Sequence, residues 1–170
     1  MREWVPISTS PKGRLALAAV RVFGDRAFGE VTVGELAAAA GVTTGAIYHH
    51  FGSKLGLYEF VRADVERRLL DRMEGALAVG DHENAAAGVR AALVVGFDFA
   101  VREQFLHLLG VPPTGIADRL AAVLGAAVGS PVLGRILAAA WRAALAAVAD
   151  GADVDETRAA LRVLEFGLAA

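Results

Sequence analysis

The chain has 170 residues, carries 17 Lys plus Arg against 19 Asp plus Glu, and contains no cysteine. The missing cysteine excludes a disulfide framework, a thiolate metal site and a cysteine nucleophile, and the net charge of −2 argues against a protein whose whole surface coats a polyanion. Apolar residues make up 55% of the sequence, and because many of them are alanine, the composition favours closely packed helices.

The sequence shows no pattern typical of a membrane or secreted protein. Its longest stretches without Asp, Glu, Lys or Arg are residues 104–117 and 120–134, and both are shorter than the ~20 residues of a membrane-spanning helix. The first residues contain no apolar core of a signal peptide. We therefore expect a cytoplasmic protein with no membrane partner.

Apolar residues recur at helical spacing almost everywhere, which predicts an all-α fold. The first predicted helix begins at Pro11, after an N-cap at Ser10, and carries an apolar stripe over residues 14–26. A capping box formed by Thr32 and Glu35 opens a second, short helix, which ends at Gly41.

Seven further helices are predicted along the rest of the chain. Thr43 can cap a third helix that runs through His49, and Ser53 can cap a fourth over residues 54–75. The side chains of the fourth helix that are spaced for burial are Leu55, Tyr58, Val61, Val65 and Leu69. Beyond a junction at residues 76–83, the remaining helices are expected near residues 84–103, 104–109, 115–128, 131–149 and 154–168.

Residues 32–51, with the sequence TVGELAAAAGVTTGAIYHHF, have the order of a helix-turn-helix unit: a short helix, a glycine-containing turn and a second short helix. Gly41 suits the left-handed conformation of the turn. The inward positions are Leu36, Ala37, Ala40, Val42 and Ile47. The outward positions of the second helix carry small or hydrogen-bonding groups that suit an approach to base edges and phosphates. These are Thr43, Thr44, Gly45, Ala46, Tyr48, His49 and His50.

The run from Arg14 to Tyr58 resembles the DNA-binding domain of the TetR family of transcriptional regulators. The residues that carry the resemblance are Ala18-Ala19, Phe23, Thr32, Glu35-Leu36-Ala37, Ala40-Gly41-Val42, Gly45, Ile47-Tyr48, His50-Phe51, Lys54 and Leu57. The resemblance implies a helix-turn-helix domain over residues 1–58, a connecting helix over 59–75, and a regulatory and dimerisation domain over 76–170. The net charge is +2 over the first of these segments and −3 over the last, which is the polarity expected of a DNA-binding head.

The resemblance also implies which residues contact DNA. They are Thr32, Thr43, Thr44, Gly45, Ala46, Tyr48, His49 and Lys54. Residues 43–46 would begin the recognition helix in the major groove, and Tyr48 and His49 would touch phosphates or base edges. Lys54 and Thr32, each at the start of a helix, would hold a phosphate. The outward face lacks Arg, Asn and Gln, so specificity is expected to rest on threonine methyl contacts, histidines, backbone positioning and DNA shape.

No motif indicates an enzyme, a cofactor or a metal site. The sequence lacks Gly-x-Ser-x-Gly, His-Glu-x-x-His and Gly-x-x-x-x-Gly-Lys. His49 and His50 are adjacent, so on a helix their side chains diverge by about 100° and cannot readily share an ion. We therefore expect a non-enzymatic protein without cofactor or metal.

Bulky and polar side chains among the alanines of the second half are candidates for an effector pocket. They are Phe97, Arg102, Phe105, His107 and Trp141. Two alternatives stay open, since aromatic rings at helical spacing also pack ordinary cores, and Asp98 with Arg102 fits a surface i,i+4 ion pair. Trp141 is compatible with a pocket or with a dimer seam.

Apolar stripes on the last two helices, about residues 131–168, resemble the family's homodimer interface. The stripes consist of Leu133, Leu137, Ala140, Ala144, Leu145 and Val148, and of Leu161, Leu164 and Leu168. A homodimer would present two recognition helices ~34–36 Å apart to a palindromic, double-stranded DNA operator. The expected function is a repressor released by an unknown small-molecule effector. The alternative is a helical ligand-binding or interaction module whose head has lost sequence-specific DNA binding.

Overall fold

A computed structural model describes residues 9–79, 85–115 and 117–164 of the chain. These residues form nine α-helices, one 3₁₀ turn and no β-strand, which confirms the predicted all-α fold. The helices are α1 (Pro11–Asp25), α2 (Val33–Ala40), α3 (Thr44–Phe51), α4 (Lys54–Val79), α5 (Ala85–Arg102), α6 (Leu106–Leu109), α7 (Arg119–Val128), α8 (Pro131–Ala149) and α9 (Val154–Arg162), with the 3₁₀ turn at Phe28–Glu30. The chain divides into two compact units, Met1–Val65 and Glu66–Ala170, and the division falls inside α4.

The first unit packs its short helices around a small apolar core. The N-cap of α1 is Ser10, whose Oγ accepts a hydrogen bond from the N–H of Gly13 at 3.0 Å. The largest side chains with no exposed surface in this unit are Leu15, Phe23, Leu36, Ile47 and Leu57. The ring of Tyr58 lies edge-on to two phenylalanine rings, with centroid distances of 5.1 Å to Phe23 and 5.0 Å to Phe28. These aromatic contacts fix the start of α4 against α1 and the 3₁₀ turn.

The buried face of α4 differs in part from the prediction. Leu55 is 50% exposed, whereas Leu57 has no exposed surface. One row of buried apolar side chains repeats at i,i+4 spacing and consists of Leu57, Val61, Val65, Leu69 and Met73, and the neighbouring Arg62, Glu66 and Leu70 are buried beside it. Residues 55 and 57 lie about 200° apart around a helix, so a face that includes Leu57 turns Leu55 toward solvent.

The second unit is built around the indole of Trp141. This side chain is fully buried, and its Nε1–H donates a hydrogen bond to the carbonyl oxygen of Leu93 at 3.0 Å, which ties α8 to α5. The carboxylate of Asp118 accepts two hydrogen bonds from the guanidinium of Arg142, at 2.7 and 2.8 Å, and joins the start of α7 to α8. Where α7 and α8 cross, the backbone of Gly134 lies against Gly125. A side chain at Gly134 would hold the two helices apart.

Several helix boundaries in this unit differ from the prediction. The α7 helix begins at Arg119 and not at residue 115, because the Asp118 carboxylate caps it by accepting a hydrogen bond from the Ala121 N–H at 3.1 Å. Gln104 does not start α6, since its φ of 60° is left-handed and interrupts the chain between α5 and α6. The α9 helix ends at Arg162. Leu168, at the predicted end of α9, lies outside the described residues.

The predicted apolar stripe of α8 mostly faces inward. Leu137 and Leu145 are buried within the second unit, while Val132 and Ile136 are 57% and 58% exposed. Among the described residues, α8 is the one helix long and apolar enough to cross a membrane by length and composition, a test that the core helix of a soluble protein also passes. The sequence criterion overlooked it because Arg135 interrupts the apolar run.

Candidate nucleic-acid interface

The geometry of α2, the turn and α3 follows from local capping and from two apolar anchors. Gly41 adopts a left-handed conformation with φ of 62°, and its N–H closes the end of α2. The next N–H, that of Val42, donates to the carbonyl oxygen of Ala37 at 3.0 Å. Leu36 and Ile47, both without exposed surface, hold α2 and α3 in the core of the first unit. The inward face is therefore the predicted one.

The outward face of α3 is accessible along its length. Thr43, Thr44, Gly45 and His49 are exposed, and Ala46 and His50 are half-buried. Tyr48 is 56% exposed, which agrees with its prediction as an outward residue. The N-cap position is occupied by Thr43, as predicted, but its side chain makes no capping hydrogen bond. The surface of the first turn therefore consists of small groups: two threonine side chains, a glycine and an alanine methyl.

Thr32 and Glu35 form the predicted capping box, and Arg26 completes it. The Glu35 N–H donates to Thr32 Oγ1 at 3.2 Å, while the Thr32 N–H and hydroxyl both donate to Glu35 Oε2 at 2.7 Å. Arg26 Nη1 donates to Glu35 Oε1 at 2.7 Å. The Arg26 guanidinium, followed by the Thr32 donors, lowers the pKa of Glu35 to about 2. A phosphate at Thr32 would therefore compete with Glu35 for the hydroxyl proton.

The lowered pKa of Glu35 predicts acid sensitivity of the first unit. Because the folded-state pKa of about 2 lies below the ordinary value of 4.5, the ionised carboxylate stabilises the fold above pH 4.5, and this contribution disappears as the pH falls through 2. Urea unfolding followed by helical circular dichroism should show a falling midpoint over this range. In Glu35→Gln the fall should be shallower, whereas Glu59→Gln, which removes an exposed carboxylate from α4, should retain the wild-type profile. Equal profiles for wild type and Glu35→Gln would contradict the prediction.

Lys54 is held by the protein itself. Its Nζ donates hydrogen bonds to the carbonyl oxygens of Phe28 and Val31, at 2.9 and 2.8 Å, and lies 4.1 Å from the centroid of the Phe28 ring. Because an ammonium has three N–H donors, one is left for a phosphate. Lys54 thus fastens the segment before α2 to the start of α4, a role that sequence reasoning missed because the two carbonyls lie 26 and 23 residues away.

Two other cations of α1 lie close to the helix-turn-helix unit and were not among the predicted site residues. Lys12 is exposed, with its Nζ 5.2 Å from the ring centroid of Phe60 and 5.8 Å from that of Phe51. Arg14 instead closes the end of α2, because its Nε donates to the carbonyl oxygen of Ala40 at 3.2 Å. Of these two cations, Lys12 presents the more accessible charge. Lysine occurs only at positions 12 and 54, and Arg takes its place everywhere else in the sequence. This rarity of lysine is the signal that could have pointed to Lys12.

The predicted effector-binding residues lie in different environments of the second unit. Phe97 and Trp141 have no exposed surface, and Phe105 is 7% exposed. His107 is half-buried. Arg102 is exposed, and its Nε lies 3.2 Å from Glu103 Oε1. The Asp98–Arg102 ion pair is not formed. Asp98 Oδ1 instead accepts a hydrogen bond from Arg158 Nε at 2.6 Å.

The described residues contain no cluster of three or more His, Cys, Asp or Glu side chains suited to a metal ion. The first unit is a helix-turn-helix domain. It has two short helices with a left-handed glycine between them, a buried inner face and an accessible second helix.

Residues 16–61 match the family model described as "Bacterial regulatory proteins, tetR family". The chain is 35% identical over 88 residues to the HTH-type transcriptional activator FasR of Mycolicibacterium smegmatis, covering 52% of this chain and 39% of the relative. It is 38% identical over 61 residues to the HTH-type transcriptional repressor BepR of Brucella suis, covering 36% of this chain and 29% of the relative. The matches thus span well under half the length of either relative. The segment of this chain that contains the helix-turn-helix unit is thus similar to the tetR family of bacterial regulatory proteins and to two proteins named as HTH-type transcriptional regulators.

Proposed function

We propose that the chain is a cytoplasmic transcriptional regulator that binds a palindromic double-stranded DNA operator as a homodimer. The observation that carries the proposal is the accessible outer face of α3 on a helix-turn-helix domain that matches the tetR family model. In a bacterium such a regulator works in the compartment that holds the chromosome. We assign the contacts with DNA to the residues predicted from the sequence, with the four small residues at the start of α3 in the major groove.

Dimerisation is proposed through α8 and α9. An apolar stripe on α8 is exposed in the single chain, and it includes Val132, Ile136, Ala139 and Ala143. These positions recur at helical spacing, and the alanines among them permit a close approach of a second helix. The stripe is displaced from the predicted one, whose leucines face the interior of the unit. A twofold-symmetric contact here would pair two recognition domains, as a palindrome requires.

We further propose that a small-molecule effector binds the second unit and releases the protein from DNA. The effector acts only if it binds the DNA-free conformation more tightly than the DNA-bound one. Phe97, Phe105 and Trp141 would supply apolar contacts, and Arg102 and His107 polar ones. A thermal-shift screen is the direct test, because a ligand of the native state raises the midpoint of unfolding.

Repression is proposed as the direction of control. One relative is named an activator and the other a repressor, so the direction needs its own measurement. Deleting the gene should raise the output of a reporter driven by a promoter that carries the operator. A fall in output would assign activation instead.

Tyr48→Ala is expected to weaken operator binding about tenfold or more, because it removes a hydrogen-bonding group from the centre of the exposed face. The measurement is fluorescence anisotropy of the full chain with duplex DNA taken from beside its own gene, at fixed salt. Val163→Ala, at a position 74% exposed in the second unit, is the matched control and should bind as the wild type does. Absence of salt-dependent, sequence-selective binding by the wild type would contradict the proposed function.

The second candidate function is a ligand-binding or interaction module whose head no longer reads DNA. The observation in its favour is the sequence of α3, TGAIYHHF, which contains no Arg, Asn or Gln. The same anisotropy experiment separates the two functions. If Tyr48→Ala and the wild type bind every duplex equally and weakly, the module is favoured.

A further inference from the structure

We infer that the first turn of α3 reads its operator through the 5-methyl groups of thymine, with Gly45 as the point of closest approach. This inference rests on the proposed function and specifies the chemistry of its DNA partner. The contacting surface consists of the methyl groups of Thr43, Thr44 and Ala46 around the bare backbone of Gly45.

The composition of α3 leaves few other means of direct readout. Bidentate recognition of guanine or adenine uses Arg, Lys, Asn or Gln, and the helix contains none of them. The exposed groups of its first turn are instead hydroxyls and methyls. A methyl group on the protein matches the one apolar feature of the major groove, the 5-methyl of thymine.

Gly45 supplies an independent argument for close contact. It lies in an α-helix, where glycine costs about 0.5–1 kcal/mol relative to alanine, and it is not among the glycines with positive φ. A Cβ at Gly45 would meet only Thr43 Oγ1, at an ordinary distance of 3.7 Å. Neither the turn nor the packing of the chain therefore requires a glycine here. The major groove of bound DNA requires a glycine here if the DNA approaches the backbone of α3 more closely than a methyl group allows.

Gly34 provides a matched comparison. It occupies the second position of α2 as Gly45 does of α3, it is exposed, and a Cβ there would meet only Thr32 Oγ1 at 4.0 Å. The two glycines therefore have equivalent environments within the chain. They differ in that Gly45 lies among the residues proposed to contact thymine, whereas Gly34 lies beside Thr32, for which a phosphate contact is proposed.

The first experiment compares Gly45→Ala with Gly34→Ala in the full chain. Both variants should unfold about 2–4 °C above the wild type. Gly45→Ala should bind the operator at least tenfold more weakly than Gly34→Ala, while Gly75→Ala, in the second unit where an added Cβ meets no atom within 4 Å, should bind as the wild type does. Wild-type affinity of Gly45→Ala would overturn the role of Gly45.

The second experiment tests the thymine methyl groups. A duplex is first selected from a random-sequence library by the wild type, and each thymine is then replaced singly by deoxyuracil. One or more replacements per half-site should weaken binding about fourfold, the effect of one buried methyl group. This penalty should vanish in Thr43→Ser or in Thr44→Ser, which remove a methyl and keep the hydroxyl, or in Ala46→Gly, which removes the third methyl. If Thr44 is the contact, the penalty should persist in Thr44→Val.

The outcomes distinguish failure of the proposed function from failure of the thymine inference. If the library yields no enriched duplex, the proposed function fails. If an operator is selected but no deoxyuracil replacement weakens binding more than twofold, or the penalty persists in Thr43→Ser, Thr44→Ser and Ala46→Gly alike, the proposed function stands and the thymine inference is overturned.

Discussion

Gly134→Ala should destabilise the second unit by about 3 kcal/mol, at the upper end of the range for overpacked positions. An ideal Cβ on Gly134 would lie 2.5 Å from Gly125 Cα and against the backbone of Ala121. Backbone atoms cannot rotate away as a flexible side chain can, so α7 and α8 would have to separate along their crossing. This cost outweighs the gain of about 1 kcal/mol that alanine brings to a helix. Urea unfolding of the full chain is the measurement.

Two other helical glycines serve as controls for Gly134. The three atoms nearest to a Cβ on Gly96 belong to the side chains of Met73 and Leu69, the nearest at 2.8 Å, and these side chains can move. Gly75 has no atom within 4 Å of an added Cβ. We expect Gly75→Ala to be slightly stabilising, Gly96→Ala to be intermediate and Gly134→Ala to be the most destabilising. Equal midpoints for Gly96→Ala and Gly134→Ala would show that the α7–α8 contact is more adaptable than its geometry indicates.

Asp118→Ala should destabilise the second unit by about 3–5 kcal/mol, since it leaves the Arg142 guanidinium buried without its counter-charge. The side chains of Arg142 and Asp118 are 8% and 28% exposed, respectively. The same substitution removes the N-cap of α7, which adds about 1 kcal/mol of destabilisation. Thermal unfolding should therefore show a large fall in the midpoint for this variant.

The double variant Asp118→Ser/Arg142→Met tests the cause. Serine can still cap α7, and methionine fills the space of the arginine stem without a charge. Replacement of a buried ion pair by apolar groups is often neutral, and within the described residues Arg142 Nε is already buried without a hydrogen-bond partner. The double variant should therefore recover most of the lost stability. If it is as unstable as Asp118→Ala, the uncompensated charge is not the cause.

The helices could be predicted because their signals are local. The side chains of Ser10, Thr32, Ser130 and Asp153 each accept a hydrogen bond from an N–H three residues ahead, and such caps can be recognised in the sequence alone. The errors arise where a tertiary contact competes with a local pattern. Asp118 starts α7 late while it also holds Arg142 on α8, and no local pattern contains that pair.

For the candidate site, the faces of α3 could be predicted from the sequence, whereas the internal hydrogen-bond partners of its residues could not. The alternation of inward and outward side chains along α3 follows from helical periodicity, so Ile47 and Tyr48 lie on the predicted faces. The internal partners of Lys54 and Thr32 could not be predicted, because phosphate binding and internal hydrogen bonding use the same donor atoms. Aromatic residues at helical spacing likewise do not distinguish a pocket from a core, and Phe97 and Trp141 are fully buried.

The burial of Trp141 gives the molecule its own optical reporter. An indole with no exposed surface that donates to Leu93 should emit at shorter wavelength than one in water, because the solvent cannot relax around its excited state. The chain contains two tryptophans, so a Trp4→Phe variant would leave Trp141 as the sole emitter. Its red shift during denaturation would then follow the opening of the second unit alone, while helical circular dichroism records both units. Any difference between the two unfolding curves measures how independently the halves of this chain unfold.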